Sequence, residues 1–256
     1  MRKLTLDLYL PGNAAGEAPP LLVYIHGGGW RSGDPSNIPW QLQKLIDEGY
    51  AVASISYRFT DESKFPAQLE DVRSALRWLL EHGAEHGIDP RRMVLIGGSA
   101  GGHLAMLAAC TSTNLRDEIK GVVSYFGPAD FLLRAKTQPE KTRRPDGSVF
   151  QLLGGSVEDN EPLAREASPA WQVGPSAPPL LIFHGTADTV VLPDQSERMA
   201  AAYREAGRPV TLHLKPEAGH RISDFNDPES ISQLTEFLKQ HLAPARAAAQ
   251  SGWPPP

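Results

Sequence analysis

Met93-Val-Leu-Ile-Gly97-Gly98-Ser99-Ala100-Gly101-Gly102-His103-Leu104 passes from an apolar run to a helical one through a turn of small residues. Within it, Gly97-Gly98-Ser99-Ala100-Gly101 fits the pattern G-x-S-x-G, in the strand–turn–helix context that gives the pattern its meaning. A serine held between strand and helix projects its hydroxyl away from both. The flanking positions must be small because neighbouring backbone crowds them, and glycine tolerates the unusual dihedrals such a turn needs. The helix beyond points its N-terminus at the serine, where negative charge is favoured. A phosphate-cradling loop would need Gly-Lys-Ser/Thr, and no lysine stands here. Ser99 is the candidate nucleophile.

Outward from this turn, apolar strands alternate with amphipathic helices. Leu4–Leu10 alternates and reads as an edge strand. Leu21–Ile25, Ala51–Tyr57, Met93–Ile96, Gly121–Phe126, Leu180–His184 and Val210–Lys215 read as further strands, several buried on both faces. Pro66–Glu85 places Leu69, Val72, Ala75, Leu76, Leu79 and Leu80 on one helical face. Gly101–Thr111, Pro193–Ala206 and Pro228–His241 are the other expected helices, the last two with proline in the first turn. This alternation implies an α/β fold: a mostly parallel central sheet, helices on both faces, no large cap domain. Ligands of such sheets sit beyond the carboxyl ends of the strands, so the loops following strands are where chemistry is sought.

The expected organisation is a single domain over 1–242 and a C-terminal tail, 243–256. Residues 127–179 form an insertion too long for a simple crossover, expected as a pocket wall or lid. The insertion carries Arg134, Lys136, Lys141, Arg143 and Arg144. The plain expectation for these is a solvated loop with a short helix around Val149–Leu153. The alternative is a preference for acidic or sugar-bearing substrates through Arg143 and Arg144.

With 25 Lys+Arg against 30 Asp+Glu, the net charge is −5, which argues against a nucleic-acid partner. No apolar run reaches the about 18–20 residues needed to span a bilayer. The N-terminal stretch alternates and carries Asp7, unlike a signal peptide. One cysteine excludes an intramolecular disulfide, and Cys110, among Leu and Ala, reads as buried and inert. The cytoplasm is the default location. A homodimer is compatible with the sequence, which does not decide it.

Tyr24-Ile25-His26-Gly27-Gly28-Gly29-Trp30 follows the first buried strand. Its three glycines let backbone N–H groups turn inward unobstructed. Gly28 and Gly29, with the N–H of Ala100, are the candidate donors to a developing oxyanion. His26 reads as a brace for this loop. Trp30 is a candidate substrate contact or simply a packing residue.

The general base is sought after the last strand and its acid after an earlier one. Leu180-Leu-Ile-Phe-His184-Gly185-Thr186-Ala187-Asp188 puts Asp188 just past a strand. Among the histidines beyond it, His213 lies inside a strand and His241 at a helix end. His220 lies in a loop, in Pro216-Glu217-Ala218-Gly219-His220. His220 would take the Ser99 proton and return it to the leaving group, and Asp188 would orient the imidazole. Asp130 and Asp194 are rival acids. Asp130 is the better candidate for shaping the pocket, and His103 for packing or a hydrogen bond near it. His82 and His86, four apart, lack a third metal ligand and read as a solvated helix end.

Taken together, His26–Trp30, Ser54-Ile-Ser-Tyr57-Arg58, Gly97–His103, Phe126-Gly-Pro-Ala-Asp130, Leu152-Leu-Gly-Gly-Ser156, His184–Asp188 and Ala218-Gly-His220 resemble the compact α/β-hydrolase esterases. The likeness lies near their feruloyl/acetyl esterase-like, arylformamidase-like and hormone-sensitive-lipase-like branches. The resemblance runs from about Leu4 to Leu242. It implies a serine carboxylesterase of small-molecule esters, with no cofactor and with Ser99, Asp188 and His220 as its triad. The lipase-like group carries an aspartate before the serine where Gly98 stands here, and a longer N-terminal cap. These departures favour the capless branch and short acyl or aryl esters. Arylformamide or peptide hydrolysis by the same triad is the alternative, and a non-catalytic binding protein on this fold the remote one.

Overall fold

In the computed structural model, which describes residues 3–12, 17–112, 115 and 117–242, seven apolar or alternating segments form one sheet. They are β1 (Leu6–Tyr9), β2 (Pro20–Ile25), β3 (Ala51–Ile55), β4 (Asp89–Gly98), β5 (Ile119–Tyr125), β6 (Leu180–Gly185) and β7 (Val210–Lys215). The order is β1-β3-β2-β4-β5-β6-β7, with β1 antiparallel at the edge and every other pairing parallel. The expected tail, 243–256, lies outside the described residues.

Side chains along the central strands alternate between two cores. Leu21, Val23 and Ile25 join one, with Leu69, Val72, Leu76 and Leu79 of α2 (Ala67–His82) and Leu104 and Leu107 of α3 (Ala100–Thr111). Leu22 and Tyr24 face the other, with Leu42 and Leu45 of α1 (Trp40–Asp47) and Leu234, Leu238 and Leu242 of α9 (Pro228–Leu242). Both faces of the sheet are therefore covered, as parallel strands require. Burial pushes the Cys110 thiol, at the end of α3, up to about 12, so it is no nucleophile.

The strand order reverses at β2. The chain leaves β2 for β3 on one side, then crosses to β4 on the other. This is the switch point where α/β sheets open a crevice beyond their strand ends. Register puts Ile25 opposite Gly97, so the loop after β2 and the turn after β4 emerge side by side.

Differences from the sequence reading are local. β1 is shorter than Leu4–Leu10, β3 stops at Ile55, and β4 begins at Asp89. Helix α1 was not expected from the sequence, and its start is capped by no side chain. The insertion holds four short helices, not one: α4 (Phe131–Thr137), α5 (Pro139–Thr142), α6 (Ser148–Leu153) and α7 (Glu161–Glu166). After it come α8 (Asp194–Glu205), β7 and α9.

Candidate active site

Ser99 occupies the turn between β4 and α3 at φ 55°, ψ −121°, a left-handed conformation that non-glycine residues rarely adopt. Its surroundings enforce the small neighbours. A Cβ on Gly97 would stand 2.3 Å from the Gly101 carbonyl carbon, and one on Gly101 1.9 Å from the Ile25 oxygen. A Cβ on Gly27 would come within 2.9 Å of the Gly98 oxygen. At Gly98 it would meet the Cδ1 of Ile222 at 2.8 Å, the end of a side chain that can turn aside.

Three loops deliver three side chains to one point. His220 Nε2 lies 2.9 Å from Ser99 Oγ, and His220 Nδ1 lies 2.6 Å from Asp188 Oδ2. The other Asp188 oxygen accepts the backbone N–H groups of Val190 (2.8 Å) and Val191 (3.0 Å). With Nδ1–H donated to the carboxylate, Nε2 is left to accept from the serine hydroxyl. Burial alone would raise the Asp188 carboxyl. Hydrogen bonds from His184 and His220 outweigh it and hold Asp188 well below the usual carboxylate range. Asp188 is thus ionised wherever the imidazole is called on to ionise.

The loops brace one another. A Cβ on Gly185 would stand 2.1 Å from the Ala218 oxygen, and Ala187 N–H donates to that oxygen at 3.0 Å. The Phe126 ring packs on the His220 ring with centroids 4.3 Å apart. From the insertion, Arg134 Nη2 donates to the Val190 oxygen (2.8 Å) and Lys141 Nζ to the Thr189 oxygen (2.6 Å). His184 is held between Ser196 Oγ at 2.6 Å and the Val191 oxygen at 2.9 Å, behind the carboxylate.

Opposite His220, Gly28 (φ +109°) and Gly29 (φ +59°) form the loop after β2. A Cβ on Gly28 would meet the Ser32 oxygen at 2.1 Å. Among the described residues no carbonyl receives the Gly28 or Gly29 N–H, and Ala100, first in α3, has no intrahelical acceptor for its own. Gly28 and Gly29 border a cavity of about 520 Å³ that also holds Ser99 and His220. His26 stacks on Tyr57, whose hydroxyl donates to the His26 oxygen at 3.0 Å, bracing the loop from below.

The expected substrate contacts fare differently. Trp30 borders the cavity, yet it is 1% exposed and its indole N–H donates to His103 Nδ1 at 3.2 Å. His103 lies away from the cavity. It is fully buried, its Nε2–H donating to the Ala167 oxygen at 2.7 Å. Burial lowers its pKa to about 4, so it is a neutral strut and not a substrate ligand. Asp130 is also withdrawn. Its Oδ1 caps α4 through Leu132 and Leu133 N–H, and its Oδ2 receives the Trp171 indole N–H and pairs with Arg198. Arg143 and Arg144 are exposed and paired with Glu158 and Asp146.

The cavity wall instead includes Arg134, Ser148, Val190, Val191 and Ile222. One sequence signal pointed to Arg134. With Asp130 as cap, Phe131, Arg134 and Ala135 fall at i, i+3 and i+4 on the buried face of α4.

Comparison with known proteins finds esterases among the similar sequences and solved structures. The esterase LipQ of Mycobacterium tuberculosis is 31% identical over 253 residues, 94% of this chain and 59% of its own length. The carboxylesterase NlhH of the same organism is 29% identical over 220 residues, covering 80% of this chain and 67% of its own. The chain spans less than three fifths of three of the curated relatives it matches, at 59%, 56% and 58% of their lengths. Among solved structures, a truncated carbohydrate esterase from gut microbiota superposes with a TM-score of 0.82 at 27% identity, covering 93% of this chain and 91% of that one. The esterase Est2 of Thermogutta terrifontis, with propionate bound, superposes at 0.75 and 27% identity, covering 95% and 92%. The architecture is the α/β-hydrolase fold. The family model BD-FAE matches residues 6–203, a span that includes the Ser99 turn, the glycine loop and Asp188, and the chain belongs to that family.

Proposed function

We propose that this chain is a serine hydrolase of carboxylic esters, working through an acyl-enzyme on Ser99. The observation that carries the reading is the relay of 2.9 Å from Ser99 Oγ to His220 Nε2 and 2.6 Å from His220 Nδ1 to Asp188. Ser99 Oγ attacks the ester carbonyl carbon while its proton passes to His220 Nε2. The carbonyl oxygen becomes an alkoxide facing the N–H groups of Gly28, Gly29 and Ala100. Losing one such donor costs ~2.7–4 kcal/mol in a studied protease. Collapse expels the alcohol, which takes the Nε2 proton. Water then attacks the acyl-serine, giving its proton to His220, and the second collapse releases the carboxylic acid and restores the serine hydroxyl. Asp188 stabilises the imidazolium in both halves without taking its proton.

The acyl part is short or aryl in this reading. The Est2 structures with propionate and butyrate bound support it. The test is Ser99→Ala. Turnover of p-nitrophenyl acetate falls to the buffer rate while the circular dichroism spectrum is kept; wild-type-like turnover in a folded variant rules the reading out. Rates on N-formyl aryl amines and aminoacyl anilides, run beside the ester, decide between ester, formamide and peptide bonds.

A further inference from the structure

The cavity over Ser99 carries a charge opposite to that of the molecule. The chain bears a net charge of −5, yet the cavity lining includes Arg31 and Arg134 and no aspartate or glutamate. Arg31 lies at the surface, its Nη1 donating to the Asp146 backbone oxygen at 2.9 Å. Arg134 is different: only 4% of it is exposed. One nitrogen, Nη2, donates to the Val190 oxygen. Nε is buried with no hydrogen-bond partner, and none of the ion pairs among the described residues includes this guanidinium.

A buried, unpaired guanidinium is costly to keep. Asp188, Asp194 and Glu140 act on it only at longer range, and Asp188 is already engaged by His220, Val190 and Val191. Burial draws its pKa down to about 10, which still leaves it charged at neutral pH. Supporting one carbonyl needs a single donor and leaves most of the fork unused. A guanidinium is the side chain whose geometry matches two carboxylate oxygens at once.

We propose that Arg134 anchors an anion subsite, so that the preferred ester carries a carboxylate, on its acyl or its alcohol part, within reach of the guanidinium when its carbonyl lies at Ser99. The proposal rests on the hydrolase reading above and names the substrate class of that site. Arg31 at the rim adds attraction for the same charge during approach.

Two pairs of esters, each an anion and its neutral isostere, test it. For the acyl side the pair is mono-4-nitrophenyl glutarate and the corresponding glutaramate. For the alcohol side it is 3-acetoxybenzoate and 3-acetoxybenzamide. In wild type, one pair shows kcat/KM at least tenfold higher for the anion, the gain lying in KM and shrinking as salt is added. Arg134→Gln cuts that ratio at least tenfold, and Arg134→Lys keeps part of it. A ratio near one in both pairs in wild type, or a ratio that Arg134→Gln leaves intact, overturns the proposal. Equal losses on anion and neutral ester overturn it too, leaving Arg134 as a support for the Val190 loop. Calorimetry on the Ser99→Ala protein separates this from the hydrolase reading. Monomethyl glutarate or 3-acetoxybenzoate binds at least tenfold more tightly there than in Ser99→Ala/Arg134→Gln, whether or not any ester is turned over. Equal affinity of the two proteins for both ligands overturns the subsite.

Discussion

The turn around Ser99 and the insertion at 127–179 bound the same cavity, but they are specified in opposite ways. In the turn, Gly97 and Gly101 are each demanded by a backbone atom a few ångströms away, Gly97 by Gly101 and Gly101 by Ile25, and in the facing loop Gly27 is demanded by Gly98. Nothing larger fits, so function and packing leave the same local mark. In the insertion, the residue that reaches the cavity is set by how four short helices dock. Arg134, Lys136, Lys141, Arg143 and Arg144 look alike as a basic run. Arg134 is buried beside the site, Lys141 ties down the Thr189 oxygen, and Arg143 and Arg144 are surface ion pairs. Steric necessity can be read locally, whereas the direction of a long flexible side chain cannot.

Breaking the turn is the larger perturbation. Gly101→Ala would drive a methyl into the Ile25 carbonyl at 1.9 Å, and we expect a loss of about 4 kcal/mol or more. Urea denaturation measures it. A loss under about 1 kcal/mol would mean the turn relaxes freely and is less constrained than its contacts imply.

The seam between the two regions is next. His103, on α3, joins Trp30 of the glycine loop to Ala167 of the insertion through its two ring nitrogens. Its folded pKa is lowered, from 6.5 to about 4. Between those values the unfolded chain binds more protons than the folded one, so stability rises with pH across the window. It is fully present above about pH 6.5 and about 3 kcal/mol smaller by pH 4. Denaturation at a series of pH values, wild type against His103→Gln, isolates this share. A variant with the wild-type slope between pH 4 and 6.5 would show that His103 is not held neutral.

The smallest effect belongs to the outer insertion. Arg143→Ala with Arg144→Ala removes only exposed ion pairs. Stability is expected to change by no more than about 1 kcal/mol, with kcat/KM on neutral and anionic esters alike within twofold of wild type. A selective loss on anionic esters would move the cavity's charge from Arg134 to this surface.

Legibility followed the same division elsewhere. The parallel strands were visible as apolar runs, and α2 through its Leu69, Val72, Leu76 and Leu79 face, because burial on two sides or one imposes a period. The meeting of Ser99, Asp188 and His220 could be anticipated because each follows a strand, and parallel strands end at one edge. Helix α1 escaped notice. It has eight residues, follows Pro39 without a capping side chain, and buries Gln41 beside Leu42 and Leu45, which blurs its apolar face. Asp130 and His103 stand close in sequence to site residues, and the distant polar contacts that turn them inward come from Trp171, Ala167 and Arg198, which no local pattern connects.

The central claim is that His220 makes the hydroxyl of Ser99 a nucleophile. Peptide mass spectrometry after exposure to a fluorophosphonate, wild type beside His220→Ala, tests it most directly. The account predicts one phosphonyl adduct, on the peptide carrying Ser99, formed rapidly in wild type and slowed at least a hundredfold in the variant. An unlabelled wild type, an adduct on another residue, or equal labelling of the two proteins would contradict it.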